Sequence, residues 1–294
     1  MPGCPGTSST SFDMERRQFI AWLGTAAASP LLSGSLLACA RQSAGSGTPI
    51  MPIGLQLYTV RDLMQQGVRP TLGLVAEIGY QEVEFAGYFN HTAAEIRAML
   101  DDTGLRSPAA HVALGAVRDD LENTIAFSKV VGHEYLIVPY LPESDRTRDG
   151  YQRIGEEFNR IGETCRNADL TFGYHNHDFE FEQFGDTTGF DLLLEHTEAD
   201  LVVMELDLFW ITSGGASPRE YFEAHPDRFQ LCHVKDMDGQ GAMVDVGRGT
   251  LDFADLLSVG GRQGLRHHFV EHDRPTDSAE SIRRSYEYLA SLRI

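Results

Sequence analysis

Four short segments each carry a histidine or a carboxylate at or near their C-terminal end: Thr171-Phe-Gly-Tyr-His-Asn-His177, Val203-Met-Glu-Leu-Asp207, Phe229-Gln-Leu-Cys-His-Val-Lys235 and His267-His-Phe-Val-Glu271. Side chains alternate along a strand, so residues of one parity share a face. By that rule Thr171, Gly173, His175 and His177 face one way, and Glu205 joins Asp207. Phe229, Leu231, His233 and Lys235 form a third set, and His267, Phe269 and Glu271 a fourth. Two imidazoles and two carboxylates brought together suit one divalent metal ion: Mn²⁺, Co²⁺, Zn²⁺ or Mg²⁺. The expected ligands are His175, Asp207, His233 and Glu271, with His177 as the alternative to His175 on its strand.

Such a site needs a scaffold that presents strand ends side by side. From Pro52 onward β-rich runs alternate with helical patterns. Strands are expected at Ile53–Tyr58, Glu82–Phe85, Pro108–Val112, Tyr135–Tyr140, Thr171–His177, Leu201–Asp207, Phe229–Val234 and His267–Glu271. Helices are expected from Arg61 to Ile78, after the capping box Thr92 and Glu95, up to Val131, from Thr147 to Ala168, near 187–197, 217–224 and 251–261, and from Asp277 to Leu292. Eight β/α units over 52–294, with no linker between them, fit a single (β/α)8 TIM barrel, an α/β fold whose active site lies at the C-terminal strand ends. A doubly wound sheet would carry a glycine-rich phosphate loop after its first strand, where this chain has Tyr58-Thr59-Val60-Arg61.

The 294 residues are 42% hydrophobic and 23% charged, which supports a packed core. With 24 Lys and Arg against 43 Asp and Glu, the net charge of −19 disfavours nucleic acid and anionic membrane faces as partners. None of the four cysteines forms a CxxC pair, so a thiolate zinc site is not indicated. Residues 1–39 read as a leader, in which Arg16-Arg17 precedes an apolar run too short for a permanent span. The arginine pair resembles a twin-arginine export signal, and Leu36-Leu-Ala-Cys39 resembles a lipoprotein processing site. The expected location is periplasmic, with the membrane touched only through a lipid on Cys39. Residues 40–51 read as a flexible tether. A homo-oligomer is left open.

Over residues 53 to 291 the chain resembles the sugar phosphate isomerase/epimerase superfamily, the xylose isomerase-like TIM barrels that include tagatose 3-epimerase and inosose dehydratase. The likeness rests on Gly54-Leu-Gln-Leu-Tyr-Thr-Val-Arg61, Tyr174-His-Asn-His-Asp-Phe-Glu-Phe181, Leu206-Asp-Leu-Phe-Trp210 with Gly214-Gly215, His233-Val-Lys-Asp236, Val246-Gly-Arg-Gly249 and Val270-Glu271. The resemblance implies metal ligands Glu, Asp, His and Glu on the fifth to eighth strands, and the last three match Asp207, His233 and Glu271. His175 stands where many relatives have Glu. An imidazole can bind a metal but cannot simply replace a carboxylate in a two-base epimerisation.

The chemistry this implies is a keto-sugar isomerase or epimerase that removes an α-proton through a metal-stabilised enediolate. Glu271 is the expected base; Glu205 is either an alternative base or orients a ligand. Lys235 would neutralise an oxyanion or hold a hydroxyl. A metal-dependent lyase or dehydratase acting on 3-keto-glycosides is the alternative, and a non-catalytic sugar-binding barrel the third reading. The partner in each case is a small-molecule carbohydrate, and export argues against a phosphorylated one. Glu84 and His111 either line the pocket or make structural hydrogen bonds, and His177 is the further substrate contact. Tyr58 and Trp210 offer faces to a sugar ring or belong to the core. Arg248 contacts substrate or stabilises a turn.

Overall fold

The computed structural model describes residues 47–294. The leader at 1–39 and most of the tether lie outside the described residues. Seven parallel strands come first: β1 (Gly54–Gln56), β2 (Glu82–Phe85), β3 (Arg106–His111), β4 (Tyr135–Val138), β5 (Thr171–His175), β6 (Val202–Asp207) and β7 (Phe229–Val234). A two-stranded antiparallel hairpin of β8 (Asp236–Met237) and β9 (Met243–Val244) follows, and then β10 (His267–Val270). Strand β10 pairs in parallel with both β7 and β1, which closes an eight-stranded barrel.

Strands covered on both faces are apolar over most of their length: Tyr135–Val138 and Val202–Asp207 are buried at every position, with Glu205 and Asp207 the polar exceptions at the C-terminal end of the second. The helices outside carry one apolar stripe each. In Arg148–Asn167 the buried residues Tyr151, Ile154, Phe158, Ile161 and Cys165 recur at three- and four-residue steps. Thr147 starts this helix by accepting from the Gly150 amide at 3.0 Å. The expected capping box at Thr92 is present: the Thr92 amide donates to Glu95 Oε2 at 2.8 Å, and the Glu95 amide donates to Thr92 Oγ1 at 3.3 Å. A Cβ on Gly162 would lie 2.4 Å from the Leu201 carbonyl oxygen, so only glycine lets this helix sit so close to the chain entering β6.

Inside the barrel Ala109, Tyr135, Ile137, Val203, Leu231 and Phe269 form their own apolar cluster. Continuing the same parity toward the C-terminal ends brings His111, His175, Asp207, His233 and Glu271 to one mouth, with Glu205 one step deeper. Phe229 departs from its expected inward set. A register shift pairs Met204 with Phe229 but Glu205 with Leu231, so β7 carries an extra residue there. Phe229 consequently packs outside, against Phe222 and Phe190 at ring separations of 5.6 and 6.2 Å. Gln230 turns inward instead and accepts from the Tyr135 hydroxyl at 3.0 Å.

Several boundaries also differ. The first strand stops at Gln56 and passes into a 3-10 turn, Leu57–Val60. The first helix is split at Gly67 into Arg61–Gln66 and Val68–Ile78. A short helix, Leu208–Ser213, starts directly after Asp207. At the other end of the domain Thr48 and Ile294 exchange backbone hydrogen bonds of 2.7 and 3.0 Å, and Ile50 is buried. Among the described residues no helix is long and apolar enough to cross a membrane.

Candidate metal centre

Asp207 ends β6 and also caps the helix that follows: its Oδ1 accepts from the Trp210 amide at 2.8 Å. Its own amide donates to Asn176 Oδ1 at 2.9 Å, which ties the ends of β5 and β6 together. With Oδ1 engaged, Oδ2 is left for the mouth. It lies 3.2 Å from His175 Nε2, 3.0 Å from Lys235 Nζ and 3.6 Å from His233 Nδ1. Glu271 follows β10 and places Oε2 at 2.7 Å from His233 Nδ1 and 2.8 Å from Lys235 Nζ.

His175, Asp207, His233 and Glu271 are all buried, and each offers one ligand atom within 4.8 Å of the others. Two details suit a cation better than a closed hydrogen-bond network. His233 Nδ1 has no hydrogen-bond partner of proper geometry despite its short distance to Glu271. His175 Nδ1 is buried with no partner at all. The donor set of two imidazoles and two carboxylates therefore fits a divalent ion.

Beneath this group lies a second one made of Glu84, His111, Glu205 and His233. His233 Nε2 is 2.8 Å from Glu84 Oε2 and 3.4 Å from Glu205 Oε2. Glu84 Oε2 also accepts from Gln56 Nε2 at 2.7 Å, and His111 Nε2 sits 2.8 Å from Glu205 Oε2. Both carboxylates are fully buried at 0% exposure, which corrects two expectations. Glu84 does not line the pocket, because it is seated under His233. Glu205 touches His111 and His233 and is not among the residues lining the cavity, the position of a group that orients a ligand.

Four carboxylates are buried here, Glu84, Glu205, Asp207 and Glu271, and the buried Lys235 ammonium pairs with the last two. Burial alone would raise all four. Burial and the neighbouring Glu205 do push Glu84 upward, whereas His233 and His111 outweigh burial at Glu205 and lower it. At Asp207 and Glu271 burial is overcome by the Lys235 ammonium and the histidines, so both stay well below the usual carboxylate range. Lys235 is itself held charged, against burial, by Asp207, Glu271 and Asp273. Burial and the neighbouring His233 lower His175 to about 4, which leaves the neutral imidazole a metal requires. His233 rises in spite of burial because Glu205 and Glu271 flank it.

Above the cluster is a cavity of about 430 Å³. Of the expected residues, Tyr58, His111, His175, His177, Lys235 and Glu271 line it. Trp210 stands beside it, its ring 5.5 Å from that of His177 and 5.5 Å from Lys235 Nζ. Arg248 does not reach the mouth: it is exposed in a neighbouring groove with Asp245, His272 and Arg284. The structure adds Asp273, whose Oδ1 lies 2.8 Å from Lys235 Nζ, together with Tyr140 and Arg274. Extending the alternation of 267, 269 and 271 by one step would have found Asp273. Glu180 is also new. Burial raises it to about 8, and it accepts from the His177 amide at 2.7 Å and from the Tyr174 hydroxyl, fixing the turn that carries His177.

A family model described as xylose isomerase-like TIM barrel matches residues 72–292. The chain is similar to a crystal structure of a sugar phosphate isomerase/epimerase from Parabacteroides distasonis, with 26% identity and a TM-score of 0.70 over 85% of this chain and 96% of that one. It shares the fold of the IOLI protein with a bound zinc atom, at 14% identity, a TM-score of 0.64, and 81% and 96% coverage. It also shares that of a D-allulose 3-epimerase from Methylomonas sp., at 13% identity, a TM-score of 0.61, and 82% and 98% coverage. No curated protein matches.

Proposed function

Because the chain belongs to the xylose isomerase-like TIM-barrel family, we propose that it is a divalent-metal-dependent enzyme that removes the proton α to the carbonyl of a keto-sugar. The reading is carried by one observation: two imidazoles and two carboxylates from β5, β6, β7 and the end of β10 converge within 4.8 Å, with His233 Nδ1 left without a hydrogen-bond partner beside Asp207 and Glu271. A divalent ion held by His175, Asp207, His233 and Glu271 would supply Lewis-acid polarisation of a substrate carbonyl. Glu271 is ionised and open to the cavity, so it is the group that accepts the proton. Lys235, also on the cavity wall, offers its ammonium to the oxygen on which charge develops. His177 is lowered to about 2 by burial and His175, so it meets the substrate as a neutral hydrogen-bonding group. Glu84 and Glu205 fix the His233 ring from behind.

Similarity to the sugar phosphate isomerase/epimerase from Parabacteroides distasonis supports sugar chemistry. Within that chemistry a second outcome is favoured by His175. Glu271 is the one carboxylate of the ligand set that lines the cavity, and the other cavity carboxylate, Asp273, is tied to Lys235 at 2.8 Å, so the paired ligand carboxylates of a two-base epimerisation are not both present. Elimination from a 3-keto-glycoside needs one base and a leaving group, which this arrangement provides. The leader motif further supports export by the twin-arginine route with lipid attachment at Cys39.

The test is incubation of the metal-loaded protein in D₂O with keto-hexoses and with 3-keto-glycosides. Deuterium at the α-carbon with an otherwise intact sugar supports isomerisation or epimerisation, and release of an aglycone or water supports the lyase. Binding without exchange would indicate a non-catalytic barrel. Glu271→Gln is expected to abolish exchange; near-normal exchange in that variant would remove Glu271 from the mechanism.

A further inference from the structure

The mouth cavity is chemically two-sided. His175, Lys235, Glu271 and Asp273, all polar, come from the ends of β5, β7 and β10. The loops after β1 to β4 contribute Tyr58, Ala86, Ala113, Pro139 and Tyr140, and His111 is the one side chain on that half that can carry a positive charge. A lone sugar ring displays hydroxyls along its whole rim, and each one desolvated without a partner carries a cost. An all-polar ligand filling this cavity would leave its hydroxyls facing Ala86, Ala113 and Pro139 unpaired.

The two tyrosines are placed as ring platforms. Tyr58 and Tyr140 are 43% and 50% exposed, unusual for large apolar side chains in this domain. Each is held by a neighbouring guanidinium: Arg61 lies 4.1 Å from the Tyr58 ring centroid, and Arg146 lies 4.7 Å from that of Tyr140 while stacking at 3.5 Å on Phe179, whose ring meets Tyr140 edge-on at 5.4 Å. Arg61 is itself anchored to the Tyr58 carbonyl at 2.7 Å, and Arg146 to the Leu141 carbonyl at 2.9 and 3.0 Å. Cation–π contacts of this kind hold a ring in place while the rest of its surface remains free.

We propose that the substrate is an aryl 3-keto-glycoside. Its sugar lies over the metal cluster, and its flat apolar aglycone rests against Ala86, Ala113 and Pro139 between Tyr58 and Tyr140. This rests on the reading of the mouth as a sugar site and narrows it to a substrate class. A free keto-hexose would leave the apolar half of the cavity filled with water.

Calorimetric titration of the metal-loaded protein with phenyl and methyl β-D-glucopyranoside, inert analogues of the two classes, tests the assignment. The phenyl compound is expected to bind about tenfold tighter, the gain typical of one aromatic contact plus its burial. Tyr140→Ala should reduce that ratio to about twofold, and Tyr140→Phe, which keeps the ring, should preserve it. Equal affinities for the two compounds, no saturable binding of either, or an unchanged ratio in Tyr140→Ala would overturn the proposal. Deuterium exchange into free keto-sugars and into methyl and phenyl 3-keto-glucosides reports the metal-centred chemistry separately. A protein that exchanges but shows no phenyl preference refutes the aryl subsite alone, whereas a phenyl preference without exchange refutes the proton-abstraction reading alone.

Discussion

Replacing Glu84 with glutamine should weaken metal binding although Glu84 is not a ligand. Its Oε2 lies 2.8 Å from His233 Nε2 and is held in place by Gln56 at 2.7 Å. A proton kept on Nε2 leaves Nδ1, the nitrogen facing Asp207 and Glu271, as the ligating atom. Removing an outer partner of this kind costs about 10- to 100-fold in metal affinity, or about 1.4 to 2.7 kcal/mol. Glutamine preserves the shape and can still accept from Nε2, so Glu84→Gln belongs near tenfold. Glu84→Ala leaves two donors unpaired and belongs near a hundredfold, with a lower Tm as well. The assay is calorimetric titration of Mn²⁺ or Zn²⁺ into metal-free protein. Glu82→Gln is the control: Glu82 is equally buried and accepts from His267 at 2.8 Å, but at the closed end of the barrel. A Kd for Glu84→Gln within twofold of wild type, or an equal loss in Glu82→Gln, would refute the reasoning.

Three further outcomes follow from named contacts. Lys235→Met strands Asp207, Glu271 and Asp273 without their shared cation. The metal-free form should lose about 3–5 kcal/mol and recover much of it when a divalent ion is added; equal losses in thermal melts with and without metal would contradict this. Burial lowers His133 to about 4 from an ordinary value of 6.5, so the unfolded chain binds the extra proton, and the His133 contribution is complete above pH 6.5 and shrinks as pH falls toward 4. By pH 5 that loss is about 2 kcal/mol, and urea titrations of His133→Asn should show a shallower pH dependence by that amount, whereas an identical dependence would count against it. At Gly54 an added Cβ would lie 2.4 Å from the Phe269 ring, so Gly54→Ala should cost about 1–3 kcal/mol, and an unchanged Tm would contradict the packing.

The barrel could be read from the chain because strand and helix patterns alternate eight times and inward parity is a local property. The same parity gathered His175, Asp207, His233 and Glu271, residues spread over almost a hundred positions. It failed at Phe229, where a one-residue bulge reverses the face and no local residue type announces it. Depth was not legible either. Glu84 and Glu205 share the parity of the mouth residues, but strand stagger sets them one layer down, under His233. Arg248 sits beside the β8–β9 hairpin, which the sequence reading did not include, and that hairpin carries it away from the mouth. The helix Leu208–Ser213 was hidden because Leu-Phe-Trp-Ile-Thr is also strand-like; the capping carboxylate of Asp207 decides in favour of helix.

The central claim is that four side chains from neighbouring strand ends hold one cation. Elemental analysis of wild type and His233→Ala, each equilibrated with Mn²⁺, Co²⁺ or Zn²⁺ and then desalted, tests it most directly. The account predicts one ion per wild-type chain and none retained by His233→Ala. A wild-type chain that retains no ion, or a His233→Ala chain that retains it undiminished, would contradict the account.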